Sequence, residues 1–412
     1  MKLLKKNFCI MLSLMLILNL VTGCSQDTAD ENLPVLTLAL REGIYSDVIK
    51  QCIKQFETEE KVHCEILELS EEELHSMVAE DAENEYGKYD LCMVDGSWMA
   101  EYTNKNILAS LSALEYEIDD DIIPATTEVC YYNNETYLAP YYGNVTVLLY
   151  NKAILKKAGY KVSKIKSLED ILNVCKKAQK TGNLGFMYRG DTTNNYVVDF
   201  LPILSSFGGW VVDKKNNPTV NTPAFKKAME YYKKLIATGT AETRDNLTVA
   251  IANNAATMAV GWPGWYTPSK KSTADYCAFT GKATKNSKAY NANVYGIWTL
   301  GIPENATQKD LSIQLLKYLM DADVQKTTVD YGGVPCRYSS LKDKTVLKKF
   351  PQYKAVCKAL ENGIYRPIMV EWPKFYEILG SEMEKILAGK KSVEKGLSDA
   401  QNNLEKSLSI EN

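Results

Sequence analysis

Histidine is nearly absent from this sequence, which contains only His63 and His75 among its 412 residues. Histidine is the usual general base at neutral pH and a common zinc ligand. A sequence with two histidines therefore gives little support for histidine-based catalysis or for a histidine-rich metal site. We expect both residues at the surface or at the edge of the core. The sequence also lacks the nucleophile-elbow, phosphate-loop, zinc-protease and dinucleotide-binding motifs. These absences argue against an enzyme, and we expect no catalytic residue, no cofactor and no metal.

The sequence also has no Lys/Arg-rich block and no Cys-x-x-Cys pair. Its formal net charge is −3, which together with the missing basic block argues against a nucleic-acid partner. Beyond the N-terminal segment the cysteines are scattered, at Cys52, Cys64, Cys92, Cys130, Cys175, Cys277, Cys336 and Cys357. That spacing fits neither a zinc site nor a small disulfide scaffold. We expect most of them to be buried free thiols, although an exported location would leave one or two disulfides open.

The first 24 residues have the features of an export signal. Three lysines (Lys2, Lys5 and Lys6) precede an apolar stretch over residues 8–21, and small residues then lead to Cys24. The stretch is too short and too poorly flanked for a stable membrane span. The ending Val-Thr-Gly-Cys resembles the lipobox of bacterial lipoproteins, which implies a signal peptide over residues 1–23 and lipidation at Cys24. With residues 24–34 as a polar tether, we expect an extracytoplasmic protein, lipid-anchored to the bacterial cell membrane.

Strand and helix patterns alternate after the tether. Apolar runs predict strands over residues 35–40, 62–69 and 89–95. Helical spacing of apolar residues predicts a helix over residues 47–57, and Ser70 is a good N-cap for a second helix that starts with three acids. Nearly continuous apolar strands that alternate with helices predict a parallel, doubly wound α/β sheet.

The rest of the chain is richer in helical patterns. An extended crossing is predicted over residues 137–152, with further strands over residues 256–260 and 294–302. Residues 267–293 are polar and predict a loop. The predicted helices cover residues 167–180, 199–207, 222–238, 309–319, 374–387 and 392–407.

The tryptophans are the strongest positive signal. Five of them are predicted in or beside loops or strand ends rather than on the apolar stripes of long helices: Trp98, Trp262, Trp265, Trp298 and Trp372. In open α/β sheets ligands bind in the crevice beyond the strand ends. A flat indole face can stack on the apolar face of a sugar ring, which would contribute about 1–2 kcal/mol per contact.

Ordered patterns along the mature chain carry a family resemblance. They include Tyr89-Asp90-Leu91 followed by Asp95 and Trp98, Pro140-Tyr141-Tyr142-Gly143-Asn144, Phe207-Gly208-Gly209-Trp210, Met258-Ala259-Val260-Gly261-Trp262, Gly332-Gly333-Val334-Pro335, and the run over residues 388–401. In these patterns the chain resembles the extracellular solute-binding proteins of bacterial ABC importers, within the group that includes maltose- and multiple-sugar-binding lipoproteins. The resemblance covers about residues 35–408.

The resemblance implies a two-lobe periplasmic-binding-protein-like fold of type II. Each lobe would be an α/β unit with a mostly parallel sheet flanked by helices, and a hinge of two or three crossing segments would join them. We expect the first lobe to comprise residues 35–140 plus about 294–332. The second would comprise residues 141–293 plus about 333–412.

The resemblance also implies a ligand site between the lobes. By position it assigns to that site Arg41, Glu42, Asp95, Trp98, Tyr142, Asn144, Tyr196, Trp262, Trp265, Trp298, Arg366, Trp372 and Tyr376. A structural ion pair is an equal alternative for Arg366. The sequence departs from the maltose-binding pattern over residues 190–198, where only Tyr196 offers an aromatic side chain, so the particular sugar stays open.

We therefore expect a monomeric, non-enzymatic binding component that captures a sugar or oligosaccharide and delivers it to the permease subunits of an ABC transporter. The same fold could instead bind a polyamine, a phosphonate, a metal chelate or a peptide. Adjacent tyrosines such as Tyr141-Tyr142 occur in ferric-ion binders of related fold, but the missing histidine ligand counts against iron. A secreted glycoside hydrolase or lyase and a purely structural surface lipoprotein are the remaining alternatives.

Overall fold

The computed structural model describes residues 33–408, so the predicted signal peptide, Cys24 and nearly all of the tether lie outside the described residues. The strands are β1 (Val35–Arg41), β2 (His63–Leu69), β3 (Leu91–Asp95), β4 (Tyr131–Tyr132), β5 (Glu135–Thr136), β6 (Ala139–Tyr142), β7 (Val147–Asn151), β8 (Leu184–Arg189), β9 (Ala241–Glu242), β10 (Ala256–Gly261), β11 (Ala274–Cys277), β12 (Asn293–Val294), β13 (Trp298–Gly301) and β14 (Gly363–Ile364).

The α-helices are α1 (Ile44–Glu60), α2 (Glu71–Asp81), α3 (Met99–Asn104), α4 (Lys152–Lys157), α5 (Leu168–Lys180), α6 (Thr193–Ser206), α7 (Pro223–Ile236), α8 (Arg244–Ala252), α9 (Lys309–Leu319), α10 (Ala322–Thr328), α11 (Tyr338–Leu341), α12 (Lys344–Lys349), α13 (Tyr353–Glu361), α14 (Trp372–Leu387) and α15 (Val393–Leu408). Within residues 33–408, no helix has both the length and the apolar character that crossing a membrane requires.

The first lobe is built on a five-stranded sheet with the order β2-β1-β3-β13-β6. β1 pairs in parallel with β2 and β3, while β13 runs antiparallel to both of its neighbours. Helices α1 and α2 pack directly on the sheet, and α9 and α10 pack on α1. The predicted N-cap of α2 is confirmed, because Ser70 and Glu73 form a reciprocal capping box.

The second lobe is built on another five-stranded sheet, with the order β11-β7-β10-β8-β9. Here β7 alone opposes the direction shared by the other four strands. Helices α5, α6 and α7 pack against β8, and α14 and α15 close this layer by packing on α6 and α7. The predicted α/β architecture of two mostly parallel sheets flanked by helices is confirmed.

Three chain segments cross between the lobes, over residues 143–146, 295–297 and 362–371. They are bonded side by side: the amide of Gly296 donates to the carbonyl of Asn144 at 2.9 Å, and the amide of Tyr295 donates to the carbonyl of Ile364 at 2.9 Å. β12 and β14 also pair in parallel beside them. The hinge is therefore a small hydrogen-bonded ribbon.

The segment after residue 332 contacts both lobes before the last crossing. We expected the chain to leave the first lobe near residue 332, but Cys336 and Arg337 are still bonded to it. The amide of Ile123 donates to the carbonyl of Cys336 at 2.8 Å, and Arg337 pairs with Asp119 at 2.9 Å. Short helices α11–α13 fill this segment, and α13 packs on β7 and β11 of the second lobe as well as on residues 124–126 of the first. These helices lack a long apolar repeat, and for that reason the sequence patterns missed them.

The structure tests two further sequence predictions, one on residues 267–293 and one on the cysteines. Residues 267–293 contain β11, an edge strand that pairs with β7, although their polar composition predicted a loop. All eight cysteines of residues 33–408 are free thiols, and all are buried except the half-buried Cys277. The free-thiol prediction is thus confirmed for the described part of the chain.

Candidate functional site

A cleft of about 640 Å³ opens between the lobes, beside the three crossings. The structure brings together in its lining ten of the thirteen residues predicted for the site: Arg41, Glu42, Asp95, Trp98, Asn144, Trp262, Trp265, Trp298, Arg366 and Tyr376. Three of these positions follow directly from strand ends. β1 ends at Arg41, β3 ends at Asp95, and β10 ends one residue before Trp262. The crevice beyond the carboxyl ends of strands is where α/β sheets usually bind ligands.

Asp95 and Arg366 form the central ion pair of the cleft. Nη2 of Arg366 donates to Oδ1 and Oδ2 of Asp95 at 2.7 and 2.8 Å, and both side chains are at most 10% exposed. Burial disfavours the charged guanidinium, but the Asp95 and Glu71 carboxylates outweigh burial and raise the pKa of Arg366 above its usual value. Asp95 also accepts from the amide and hydroxyl of Ser97, at 2.9 and 2.7 Å. Its carboxylate is therefore held in one orientation at the cleft floor.

Glu71 begins helix α2 and brings a second carboxyl group to this part of the cleft. Burial and the negative charge of Asp95 raise the pKa of Glu71 above its usual value, although Arg366 and Arg41 act in the opposite direction. No hydrogen bond joins the Glu71 carboxyl group to another side chain within residues 33–408. This group is consequently available to a ligand as a hydrogen-bond acceptor.

An aromatic wall forms the first-lobe side of the cleft. Trp98 and Trp298 meet edge to face with ring centroids 5.6 Å apart. They adjoin because β13 pairs antiparallel with β3, which places Trp298 opposite Asp95. His75 packs against Trp98 at 4.8 Å, and its Nε2 lies 2.8 Å from Oε2 of Glu101. The hydrogen bond from His75 is the main reason that the pKa of Glu101 falls to about 2.

The second-lobe side combines two further tryptophans with an arginine. The guanidinium of Arg189 lies 5.0 Å from the ring centre of Trp265, within cation–π range. Nε of Arg189 donates to the buried Asp199 at 3.1 Å, which fixes the direction of the guanidinium. The ring of Trp262 approaches the backbone of Gly296, where an added Cβ would lie 2.9 Å from the indole. Only glycine at 296 therefore permits this position of Trp262.

Charged side chains of both signs line the cleft. The sequence contains only five arginines, and four of them are in the lining: Arg41, Arg189, Arg244 and Arg366. Six acids accompany them, namely Glu42, Glu71, Glu72, Asp95, Asp191 and Asp245, and no lysine is present among the lining residues. Guanidinium groups donate and carboxylates accept, and both make charge-assisted hydrogen bonds with hydroxyl groups. The arrangement suits a ligand with many hydroxyl groups and flat apolar faces.

Three predicted site residues lie outside the lining. Tyr142 is buried in the hinge, and its hydroxyl donates to the carbonyl of Gly332 at 3.0 Å. Trp372 lies in the second-lobe core, stacked on Phe375 at 5.4 Å, because the first turn of α14 directs it inward. Tyr196 packs beside Tyr188 at 6.4 Å, one turn into α6, so the residues just before it line the cleft instead.

Sequence reasoning missed the residues that begin helices at the cleft. They are Tyr45 of α1, Glu71, Glu72 and His75 of α2, Thr192, Thr193, Asn194 and Asn195 at the start of α6, and Thr243, Arg244 and Asp245 at the start of α8. Arg189 and Asp191, at the end of β8, were missed as well. The first turn of a helix after a parallel strand faces the same edge of the sheet as the strand end. That rule could have identified them.

Comparison with known proteins agrees with this geometry. The family described as bacterial extracellular solute-binding protein matches residues 51–355. A probable amino-acid ABC transporter periplasmic-binding protein of Sinorhizobium fredii is 23% identical over 285 residues, covering 66% of this chain and 64% of that protein. A probable ABC transporter-binding protein of Deinococcus radiodurans is 27% identical over 258 residues, covering 58% of this chain and 60% of that protein. The chain thus matches less than two thirds of the length of these relatives.

Solved structures resemble the whole described chain. A ribitol complex of an ABC transporter solute-binding protein from Agrobacterium radiobacter has a TM-score of 0.80 at 22% identity, covering 90% of this chain and 98% of that one. The maltose-bound MalE3 of T. maritima has a TM-score of 0.79 at 20% identity, covering 90% and 99%. These likenesses confirm the predicted two-lobe periplasmic-binding-protein fold. Since the family match spans well over half of its length, the chain belongs to the bacterial extracellular solute-binding protein family.

Proposed function

We propose that this protein captures a sugar or oligosaccharide in the cleft between its lobes and delivers it to the permease of an ABC importer. One observation carries the proposal: both lobes bring tryptophans to the cleft, and charged hydrogen-bonding groups surround them. Trp98 and Trp298 come from the first lobe, and Trp262 and Trp265 from the second. Structural neighbours whose complexes contain maltose or ribitol support the same ligand class.

The energetics are adequate for capture at low concentration. Covering about 50 Å² of the half-buried Trp265 indole contributes about 1–2 kcal/mol, while Trp98, Trp262 and Trp298 are at most 8% exposed and offer only ring edges. Charge-assisted hydrogen bonds to the arginines and carboxylates of the lining supply most of the remainder of about −8 kcal/mol, a micromolar dissociation constant. The Asp95–Arg366 and Arg189–Asp199 pairs add specificity, because they hold their donors and acceptors in place before the ligand arrives.

Binding is coupled to closure of the lobes. A ligand that contacts only one lobe does not favour either form, whereas a ligand that reaches Trp98 and Trp265 together favours the closed form by its additional contacts. The hydrogen-bonded crossings provide the axis for this motion. The protein binds without turnover, acts as a monomer, and is held at the outer face of the cell membrane through lipidated Cys24. Its partners are the ligand and the permease subunits.

A second candidate ligand is a polyamine. The six acids of the lining exceed the four arginines, and Glu71 and Glu72 have no basic partner within hydrogen-bonding distance among the described residues. A cation with several amino groups would neutralise that excess. A sugar uses the indole faces, whereas a polyamine uses mainly the carboxylates.

A thermal-shift screen of the mature protein distinguishes these ligands. The compounds are maltose, maltotriose, ribitol, spermidine and a mixture of amino acids, each titrated over a thousandfold range. A ligand at 100 times its dissociation constant stabilises the native state by about 2.7 kcal/mol, which raises Tm by several degrees. A rise with one saccharide class, followed by calorimetry and by chromatography that finds no hydrolysis product, supports the proposal. A rise in Tm with spermidine alone would identify the cleft as a polyamine site. A rise in Tm with amino acids alone would contradict the sugar assignment.

A further inference from the structure

A second large cavity lies away from the ligand cleft. It measures about 670 Å³ and lies between the loop that leads into β12 and the end of helix α13. Its lining includes Lys166, Lys282 and Lys285 from the second lobe, Lys358 from α13, and the amides Asn293 and Asn362. We refer to it as the lysine groove. Asn293 belongs to β12 and Asn362 directly precedes β14, so the groove adjoins the hinge ribbon.

The charge of this lining is of one sign. Four lysines line the groove and no acid is among the lining residues, whereas the ligand cleft has a similar volume and combines four arginines with six acids. Only Lys285 has an ion-pair partner, Asp170 at 3.3 Å, and that carboxylate already accepts from the amide of Lys166. Lys166, Lys282 and Lys358 have no carboxylate partner within residues 33–408. Their positive charges are therefore not compensated by an ion pair within the described residues.

An amide donor supplements the ammonium groups. Asn293 is only 3% exposed, and its Oδ1 accepts from the amide of Phe279 at 2.9 Å. Its Nδ2 has no acceptor among the described residues and remains a donor at the groove wall. The lining as a whole thus presents hydrogen-bond donors and positive charge, which are the groups that bind phosphate oxygens.

The charge of the second lobe reinforces this local excess. Residues 143–293 contain 22 Lys/Arg and 9 Asp/Glu, while residues 35–142 contain 6 Lys/Arg and 24 Asp/Glu. The net charge of the chain conceals this separation. A field of one sign around a cavity raises the local concentration of counter-ions. An anion approaching the second lobe is therefore attracted towards the groove by the surrounding surface as well as by its lining.

We propose that the lysine groove is a binding site for a multiply charged anion that carries phosphate groups. Four lysines line one cavity large enough for a small polyphosphate, and Asn293 contributes a fixed donor. The phosphate could belong to a soluble compound or to a lipid headgroup, since the chemistry of recognition is the same. The site does not depend on which ligand occupies the cleft.

The test measures binding of inorganic tripolyphosphate to the mature protein by calorimetry in 50 mM salt. The variant Lys282→Gln/Lys358→Gln removes two charges from the groove. The matched control, Lys176→Gln/Lys227→Gln, removes two exposed lysines of the second lobe that lie outside the groove. We expect the groove variant to weaken binding about tenfold or more and the control to weaken it less than threefold, because only the former loses direct contacts. Higher salt should weaken binding to the unmodified protein.

A second arm uses vesicles that contain phosphatidylglycerol. Vesicle binding that is lost in the groove variant and displaced by tripolyphosphate identifies the lipid headgroup as the source, and tripolyphosphate binding without vesicle binding identifies a soluble anion. Both results support the site. Equal loss of binding in the groove and control variants, or no binding of either probe at 50 mM salt, overturns it. Circular dichroism and thermal denaturation of the same samples verify that each variant is folded, whichever ligand the cleft binds.

Discussion

Arg366 reaches from the third crossing to the end of β3 and holds both carboxylate oxygens of Asp95 with one nitrogen, at 2.7 and 2.8 Å. The pair joins the hinge to the first lobe at the floor of the cleft. Its two residues are 271 positions apart in the sequence, so it exists only in the folded chain. Both alternatives considered for Arg366, a structural ion pair and a ligand contact, are compatible with this position, because the pair also lines the cleft.

The first prediction concerns the stability of this pair. We expect Arg366→Met to lower the free energy of unfolding by about 3 kcal/mol, because Asp95 is left buried and charged without its partner. Urea denaturation of the mature protein measures the change. The double variant Asp95→Asn/Arg366→Met should recover at least half of the loss, since it removes the orphaned charge. A double variant less stable than Arg366→Met would show that the pair is not the source of the effect.

The second prediction concerns the indole of Trp265. We expect Trp265→Ala to weaken binding of the identified sugar by about 1 kcal/mol, or roughly fivefold, because one stacking face is lost. The matched control is Trp210→Ala, which removes a half-buried tryptophan of the same lobe that is not among the cleft-lining residues. Calorimetry should find the affinity of the control unchanged. If Trp265→Ala binds the sugar as well as the unmodified protein, that residue is not part of the site.

The residues that sequence reasoning placed in the cleft share a simple signal. Asp95 and Trp262 follow apolar runs that end visibly in the sequence, and the ends of such strands face the cleft. His75 and Arg244 do not end an apolar run, and only their place near the start of a helix that follows a strand could have indicated the cleft. The aromatic residues Tyr142 and Trp372 look the same in sequence as Trp98, yet packing directs them into the hinge and the second core.

The fold followed more closely from the sequence than the lobe boundaries did. Alternating apolar runs predicted β1, β2 and β3 and the helices between them. Helices α11–α13 are short, and their position between the lobes depends on long-range contacts, such as the bond between Ile123 and Cys336 and the packing of α13 on β7 and β11. Local periodicity contains no information about such bonds, and the position of the last crossing could not be predicted for that reason.

The third prediction concerns the close approach of Trp262 to Gly296. An added Cβ at 296 would lie 2.9 Å from the indole ring, so Gly296→Ala must displace the ring. We expect a loss of about 1–3 kcal/mol in stability from this overpacking, together with weaker sugar binding. The smaller ring in Trp262→Phe/Gly296→Ala should relieve part of the clash. A double-mutant cycle measures this, and strictly additive losses would contradict the proposed contact.

The fourth prediction tests the lipid anchor. Cys24→Ser removes the only sulfur at the end of the predicted signal peptide, so we expect the protein in the soluble fraction instead of the membrane fraction. Mass spectrometry of the mature N-terminus should find acyl chains on the unmodified protein and none on this variant. Cys9→Ser is the matched control, because Cys9 lies inside the apolar stretch that is removed with the signal. Membrane retention of Cys24→Ser through an acylated terminus would contradict the assignment.

The last prediction concerns the pH dependence of stability. The pKa of Glu71 is raised above 4.5 by burial and by Asp95, so the native state keeps a proton that the unfolded chain has already released. Between pH 4.5 and that raised pKa, stability therefore falls as the pH rises. Glu71→Gln removes this ionisation. We expect it to increase the free energy of unfolding at pH 7, with little change below pH 4, as measured by thermal denaturation across the pH range.

Glu73 provides the matched control because it lies on the same helix and its pKa is shifted in the opposite direction. Its hydrogen bond to Ser70 at the N-terminus of α2 lowers its pKa below 4.5, so its charged form stabilises the native state above that pH and the contribution is lost as the pH falls. Glu73→Gln should therefore decrease stability at pH 7, whereas Glu71→Gln increases it. Equal changes in the two variants would mean that removing any acid from this acidic lobe relieves general repulsion. Opposite changes would show that the cleft itself holds Glu71 in an unfavourable charged state, which a ligand that donates to its carboxylate would relieve.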